Sequence, residues 1–332
     1  MRVRVPPVLA AATAVVVGLT GCTGTDTTLA TNDDGLTVVD VATIPVAEAA
    51  PLYMGIEMGY FADEGLDVRP EVSSGGAALL PAVLKSDMHI GWANPVTLLL
   101  ASQQGIDLSV VASGALSGDP DAPLPPPEEP TFDLLSVAPD SDITEAADLD
   151  GAVIGVASLN SIVDLTLKAS IDAHGGDSDT VEIVELSSAE QAVALAQGRI
   201  DAAKTAEPFA TAMVEEGNIP VLRPYTDTVP GLQNAMFFTS GAFQEDNPEV
   251  VDAFRRAMNR SLETAQEDPD EARAMIPTYT DITPEQAESI NLPYWSPDIN
   301  WDSVDELADM MVEYDMAHTR PDPDLIDPGV DR

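Results

Sequence analysis

One pattern occurs twice in this chain and limits what it can fold into: an apolar helix, a small-residue turn, a short strand, and a loop that ends at a proline. The first copy lies within residues 68–95. It reads as a strand ending at Val72, a loop of Ser73, Ser74, Gly75 and Gly76, a helix to about Lys85, a strand Met88 to Trp92, and then Asn94-Pro95. The second, residues 189–208, runs through an apolar helix, Gly198, a strand Ile200 to Ala203, and Glu207-Pro208. Alternating helix and strand periods predict α/β sheets. Such sheets bind ligands beyond the carboxyl ends of their strands, where helix-start N–H groups and glycine main chain can approach a small polar group. Gly-Gly also marks ordinary turns. The second copy is what favours two lobes facing one cleft.

With 332 residues, each of two domains can bury its own core. The charge balance narrows the partners. Against 14 Lys and Arg stand 57 Asp and Glu, a formal net charge of −43, which excludes a charge-driven role on nucleic acid or anionic lipid. A hydrophobic content of 45% with 5% aromatics fits a globular α/β protein.

The amino terminus reads as a targeting segment: Arg2 and Arg4, an apolar run Val8 to Leu19, and Leu19-Thr20-Gly21-Cys22. That last run resembles a bacterial lipobox. The resemblance implies that residues 1–21 are a signal peptide and that Cys22, the one cysteine, is lipidated, anchoring the protein to the outer face of the cell membrane. One cysteine allows no intramolecular disulfide. Residues 22–35 are polar and aperiodic, as a tether would be.

Along the rest of the chain, Leu36 to Ala42 reads as the first strand, followed by a loop Thr43 to Pro51 and a helix with Leu52, Ile56 and Tyr60 on one face. Strands are also predicted at Asp107 to Ala112, Phe132 to Val137, Val153 to Val156 and Asn234 to Thr239, and a helix from Ser161 to about His174. The proline-rich stretch 117–130 marks a domain edge. In the helix Glu249 to Gln266, Val251, Phe254, Met258 and Leu262 share one face, and Asp302 to His318 is helical and acidic.

The run TIPVAEAAPLYMGIEMGYFADEGLDV, residues 43–68, followed by the Gly-Gly loop, resembles the opening of the solute-binding proteins of ABC importers for nitrate, sulfonates, taurine and thiamine-precursor pyrimidines. The resemblance extends from about Leu36 to the end. Where that family often has Gly and Asp after the Gly-Gly helix, this chain has Ser86 and His89, although the second copy keeps Gly198 and Asp201. It implies the two-lobed periplasmic-binding-protein type II fold, each lobe a mixed sheet flanked by helices. Lobe one would be residues 36–130 and 235–332, and lobe two 131–234. It also implies capture of a small molecule between the lobes, delivery to a membrane permease, a monomer, and no catalysis or cofactor.

The candidate ligand-binding residues are Pro45, Glu48, Ser74, Gly75, Gly76, Asn94, Asn160, Ser161, Glu207 and Asn234. Backbone N–H groups of Gly75, Gly76 and Ser161 would face an acceptor, and Ser74, Asn94 and Asn160 would orient the ligand. For Trp92 and Phe237, core packing is the better reading than a ligand wall. None of these loops contains Arg, Lys204 is the nearest base, and Glu48 and Glu207 are acidic. That chemistry favours a neutral or partly cationic ligand such as a pyrimidine-like heterocycle over nitrate or a sulfonate. His89, His174 and His318 are scattered, and no metal-ligand spacing, nucleophile elbow or P-loop is present. Two alternatives of the same fold stay open: a ligand-sensing or interaction lipoprotein, and an enzyme like the pyrimidine synthases, whose cysteine-rich motif this chain lacks.

Overall fold

The structure is a computed structural model and describes residues 29–73, 79–126, 129, 131–327 and 329. Cys22, Ser74, Gly75 and Gly76 lie outside the described residues.

Ten strands are described: β1 (Thr37–Thr43), β2 (Leu66–Val72), β3 (Ile90–Ala93), β4 (Leu108–Leu116), β5 (Asp133–Val137), β6 (Val153–Val156), β7 (Glu182–Glu185), β8 (Ala202–Ala206), β9 (Ile219–Leu222) and β10 (Gln233–Ser240). They form two five-stranded sheets with orders β2-β1-β3-β10-β4 and β7-β6-β8-β5-β9. Both sheets have the same plan. Three parallel strands are followed by one antiparallel strand, β10 in sheet one and β5 in sheet two, each the first strand after a crossing from the other sheet. Because the parallel strands point the same way within a sheet, the loops after β1, β3, β6 and β8 are the ones that can hold a ligand.

The long helix Pro248–Glu267 shows why the sheets are covered. Val251, Phe254, Met258 and Leu262 are all buried in one core with Phe61, Trp92 and Phe237. On its outer face Arg256 and Arg260 pair with Glu64 and Asp63 at 2.7 and 3.0 Å. These pairs are exposed and add little stability.

Several features differ from the sequence reading. The strand expected at Ile200 to Ala203 is β8, Ala202–Ala206, which starts two residues later and runs three further. The helix expected to carry Leu52, Ile56 and Tyr60 on one face stops at Glu57 and restarts at Tyr60, because Gly59 takes a left-handed conformation, φ 75°. The strand expected at Asp107 to Ala112 continues to Leu116. β7 and β9 were not expected at all. Both are edge strands of four residues, half exposed, and β9 carries Pro220, which an edge tolerates and a central strand does not.

The two crossings between the sheets run together. Ser117 N donates to Leu232 O at 2.8 Å, and Leu232 N donates to Ser117 Oγ at 3.0 Å. Gly231 sits in the left-handed region at φ 59°, and a Cβ there would lie 2.5 Å from the Pro120 main chain. Gly231→Ala is therefore expected to lower stability by at least about 2 kcal/mol through strain and overpacking. A urea midpoint unchanged from the parent would contradict this. Arg223 clamps the first crossing: its guanidinium donates to Pro126 O at 2.7 Å, Pro125 O at 3.2 Å and Glu129 O at 3.3 Å, and is held by Asp227 at 2.7 Å.

Candidate functional site

The loops after the parallel strands of the two sheets meet. Ala47 N, just past β1, donates to Glu207 O, just past β8, at 3.2 Å. Asn94, just past β3, caps the helix Pro95–Gln103 by accepting from Thr97 N at 3.0 Å. The same Oδ1 accepts from Ile162 N, at the start of the helix that follows β6, at 3.4 Å. Asn94 and Glu207 therefore join elements from the two sheets.

Several of the expected binding groups are used locally. Ser161 is buried and accepts from Val163 N at 3.2 Å, while its N–H donates to Asp164 Oδ1 at 2.7 Å, so the pair forms a capping box. Its backbone donor is already taken. Asn160 is exposed, left-handed at φ 51°, and gives its N–H to Asp164 as well. Glu207 is buried but saturated: it accepts from Thr211 Oγ1 and N at 2.6 and 3.1 Å, and from Asn291 N and Nδ2 at 2.9 and 3.1 Å. Pro45 is half-buried in the loop after β1. Phe237 packs edge-on against Phe254 at 5.7 Å in the core.

Two of the expected residues carry unsatisfied atoms. Glu48 is 4% exposed, and its Oε1 accepts a long hydrogen bond from Asn234 Nδ2 at 3.5 Å. Glu48 Oε2 and Asn234 Oδ1 are buried with no partner among the described residues. Burial pushes the Glu48 carboxyl up to about 7, against the opposing pull of its own backbone N–H and of Lys204.

The sequence reading named Lys204 only as the nearest base and missed its partner. Lys204 on β8 and Asp133 on β5 are fully buried, with Nζ 3.5 Å from Oδ2, and the ammonium lies 3.3 Å above the Tyr225 ring. Asp133 Oδ2 also accepts from Tyr225 N at 3.0 Å, whereas Oδ1 has no partner among the described residues. Burial drives Asp133 up and Lys204 down, and each charge offsets part of the other's desolvation. The signal was present: Asp133 is the one charge in the apolar strand Phe132 to Val137. Beside Glu48, Tyr53 and Tyr279 stack face to face at 3.9 Å and 6°, with Tyr279 Oη donating to Val46 O at 3.0 Å. These tyrosines are 226 positions apart in sequence, so no local pattern announces the pair.

The cluster has a chemical bias. Glu48 and Asp133 face one ammonium, that of Lys204, and Glu207 adds its repulsion to Glu48; unpaired buried oxygens here are Glu48 Oε2, Asp133 Oδ1 and Asn234 Oδ1. Among the other buried side-chain atoms without a partner, Trp92 Nε1 can only donate, and the hydroxyls of Tyr53 and Thr226 can act either way. A group that presents N–H donors relieves the cost of such acceptors, about 1–3 kcal/mol each, and an anion does not. Among the described residues no His, Cys, Asp and Glu group could hold a metal ion.

Residues 46–272, well over half of the chain, match the NMT1/THI5 like family model. The chain belongs to the NMT1/THI5-like family. Within that match fall Glu48, Asn94, Asp133, Lys204, Glu207 and Asn234, whereas Tyr279 and Asn291 lie beyond it. A formylaminopyrimidine-binding protein of Halalkalibacterium halodurans is 26% identical over 260 residues, covering 77% of this chain and 74% of that one. The ligand-binding component of an ABC-type import system from Staphylococcus aureus superposes with a TM-score of 0.74 at 15% identity, over 87% of this chain and 96% of that chain. The periplasmic aliphatic sulphonate binding protein of Escherichia coli gives 0.66 at 16% identity, over 86% and 96%. Both share the fold of two mixed sheets flanked by helices, the periplasmic-binding-protein architecture that the sequence reading expected.

Proposed function

We propose that this member of the NMT1/THI5-like family is the extracytoplasmic solute-binding component of an ABC importer. It captures a small amino-substituted heterocycle, a pyrimidine or a close analogue, between its two sheets and delivers it to a membrane permease. The observation that carries this reading is the excess of unpaired buried acceptors on Glu48, Asp133 and Asn234 where the two sheets meet. The relative named for formylaminopyrimidine binding supports the same class. Ligand binding across the cleft stabilises the closed arrangement by its differential affinity, and the permease reads that form. No chemical step is part of this role.

In this reading lobe one comprises residues 36–130 and 235–332, and lobe two residues 131–234, hinged at the paired crossings. Thermal unfolding against a panel of aminopyrimidines, sulfonates, nitrate and aromatic acids tests the ligand class. A ligand at a hundred times its dissociation constant adds about 2.7 kcal/mol. A shift with sulfonates and none with aminopyrimidines would reject the class.

Cys22 anchors the protein to the outer face of the cell membrane through its lipid, and the folded part acts as a monomer. Cys22→Ser is expected to release the protein from membranes into the soluble extracytoplasmic fraction. Retention of that variant on membranes would refute the anchor.

A further inference from the structure

A cavity of about 830 Å³ lies at the free edge of sheet two; Thr211 and Asn291, which hold Glu207, form part of its lining, but none of the candidate ligand-binding residues does. Its size is that of sites for drug-sized organic molecules. The walls come from three places: Leu124 and Pro126 on the first crossing, Val214 on the helix Phe209–Glu215, and Val221 and Leu222 on β9. Leu124 is 47% exposed and Val214 39% exposed, although the chain as a whole is strongly acidic. Exposed aliphatic groups gathered in one concavity mark a binding surface more than scattered ones do.

The polar lining selects charge. Arg223 is the one cation of fixed charge there, and its guanidinium is consumed by Asp227 and by the carbonyls of Pro125, Pro126 and Glu129. With Asp227 paired to Arg223, the carboxylates of Glu129 and Glu215 remain, and Ser289 Oγ donates to Glu215 Oε1 at 2.9 Å to close one side. An anion entering this cavity finds no free guanidinium and meets like charge. A neutral or protonated amine finds acceptors. We propose that this cavity is a second ligand site, distinct from the cleft, for an apolar amine, neutral or cationic.

The walls do not depend on what the cleft binds, so this site stands or falls apart from the importer reading. The test compares two dyes with the same aromatic body, N-phenyl-1-naphthylamine and its anionic relative 8-anilinonaphthalene-1-sulfonate, by fluorescence titration of the purified protein. The amine is expected to bind saturably, one per chain, at least tenfold more tightly than the sulfonate. Val214→Asp and Leu124→Asp place a charge on a partly exposed wall, so the fold is retained, which melting curves check. Each is expected to weaken the amine at least tenfold. Saturable binding that both variants leave unchanged, stronger binding of the sulfonate, or no saturable binding would each overturn the proposal.

Discussion

Asp133→Ala is expected to destabilise the folded chain by about 3–5 kcal/mol, because it leaves the Lys204 ammonium buried without its counter-charge. The residue is completely buried on β5, and the Lys204 side chain beside it is 2% exposed. Nearby water cannot compensate either group cheaply. The Tyr225 N–H loses its acceptor at the same time, since it donates to the same carboxylate oxygen as Lys204. Urea unfolding reads the loss as a lower midpoint. The double variant Asp133→Ala with Lys204→Met is expected to recover a large part of it, since removing both charges removes the uncompensated one. Equal stability of the single variant and the parent would show that the pair is solvated in solution.

The second large effect is a pH dependence carried by Glu48. Its carboxyl is raised from 4.5 to about 7 in the folded state by burial. A folded carboxyl with the higher value binds protons more readily than the unfolded one, so its contribution is fully present below pH 4.5 and is lost as pH rises through 7. A shift of this size corresponds to about 3 kcal/mol over that window. Glu48→Gln removes the titrating group while keeping an oxygen for Asn234 Nδ2. It is expected to flatten the profile between pH 4.5 and 7 and to be more stable than the parent at pH 8. A parent and variant with the same pH profile would place the Glu48 carboxyl in water. Above pH 7, where the Glu48 carboxyl is ionised, the same substitution should weaken an N–H-donating ligand by about 1.5–3 kcal/mol, the range for a hydrogen bond to a charged group.

Much of the fold was legible because period and punctuation coincide. Val153 to Val156 is a strand of just those residues, bounded by a turn at Gly151 and a polar loop at Ser158. The buried face of the helix Pro248–Glu267 follows the 3.6-residue period without interruption. β7 and β9 escaped notice because four half-exposed edge residues carry neither alternation nor a long apolar run.

The site was legible by position and less so by role. Asn94, Glu48 and Asn234 do stand where the two sheets meet, but Ser161 and Glu207 spend their hydrogen-bonding capacity on local structure. A sequence shows that a serine begins a helix and not whether its neighbour at the third helical position, Asp164, will take its N–H. The Lys204–Asp133 pair joins β8 to β5 across 71 positions of sequence, and its effect on Glu48 arises only from packing.

Calorimetric titration of the purified protein with formylaminopyrimidine, an alkanesulfonate and nitrate tests the central claim most directly. The account predicts a one-to-one exothermic isotherm for the aminopyrimidine, at least tenfold tighter than either anion, and weakened by Glu48→Gln. Tight binding of the sulfonate or nitrate with no heat from the aminopyrimidine would contradict it.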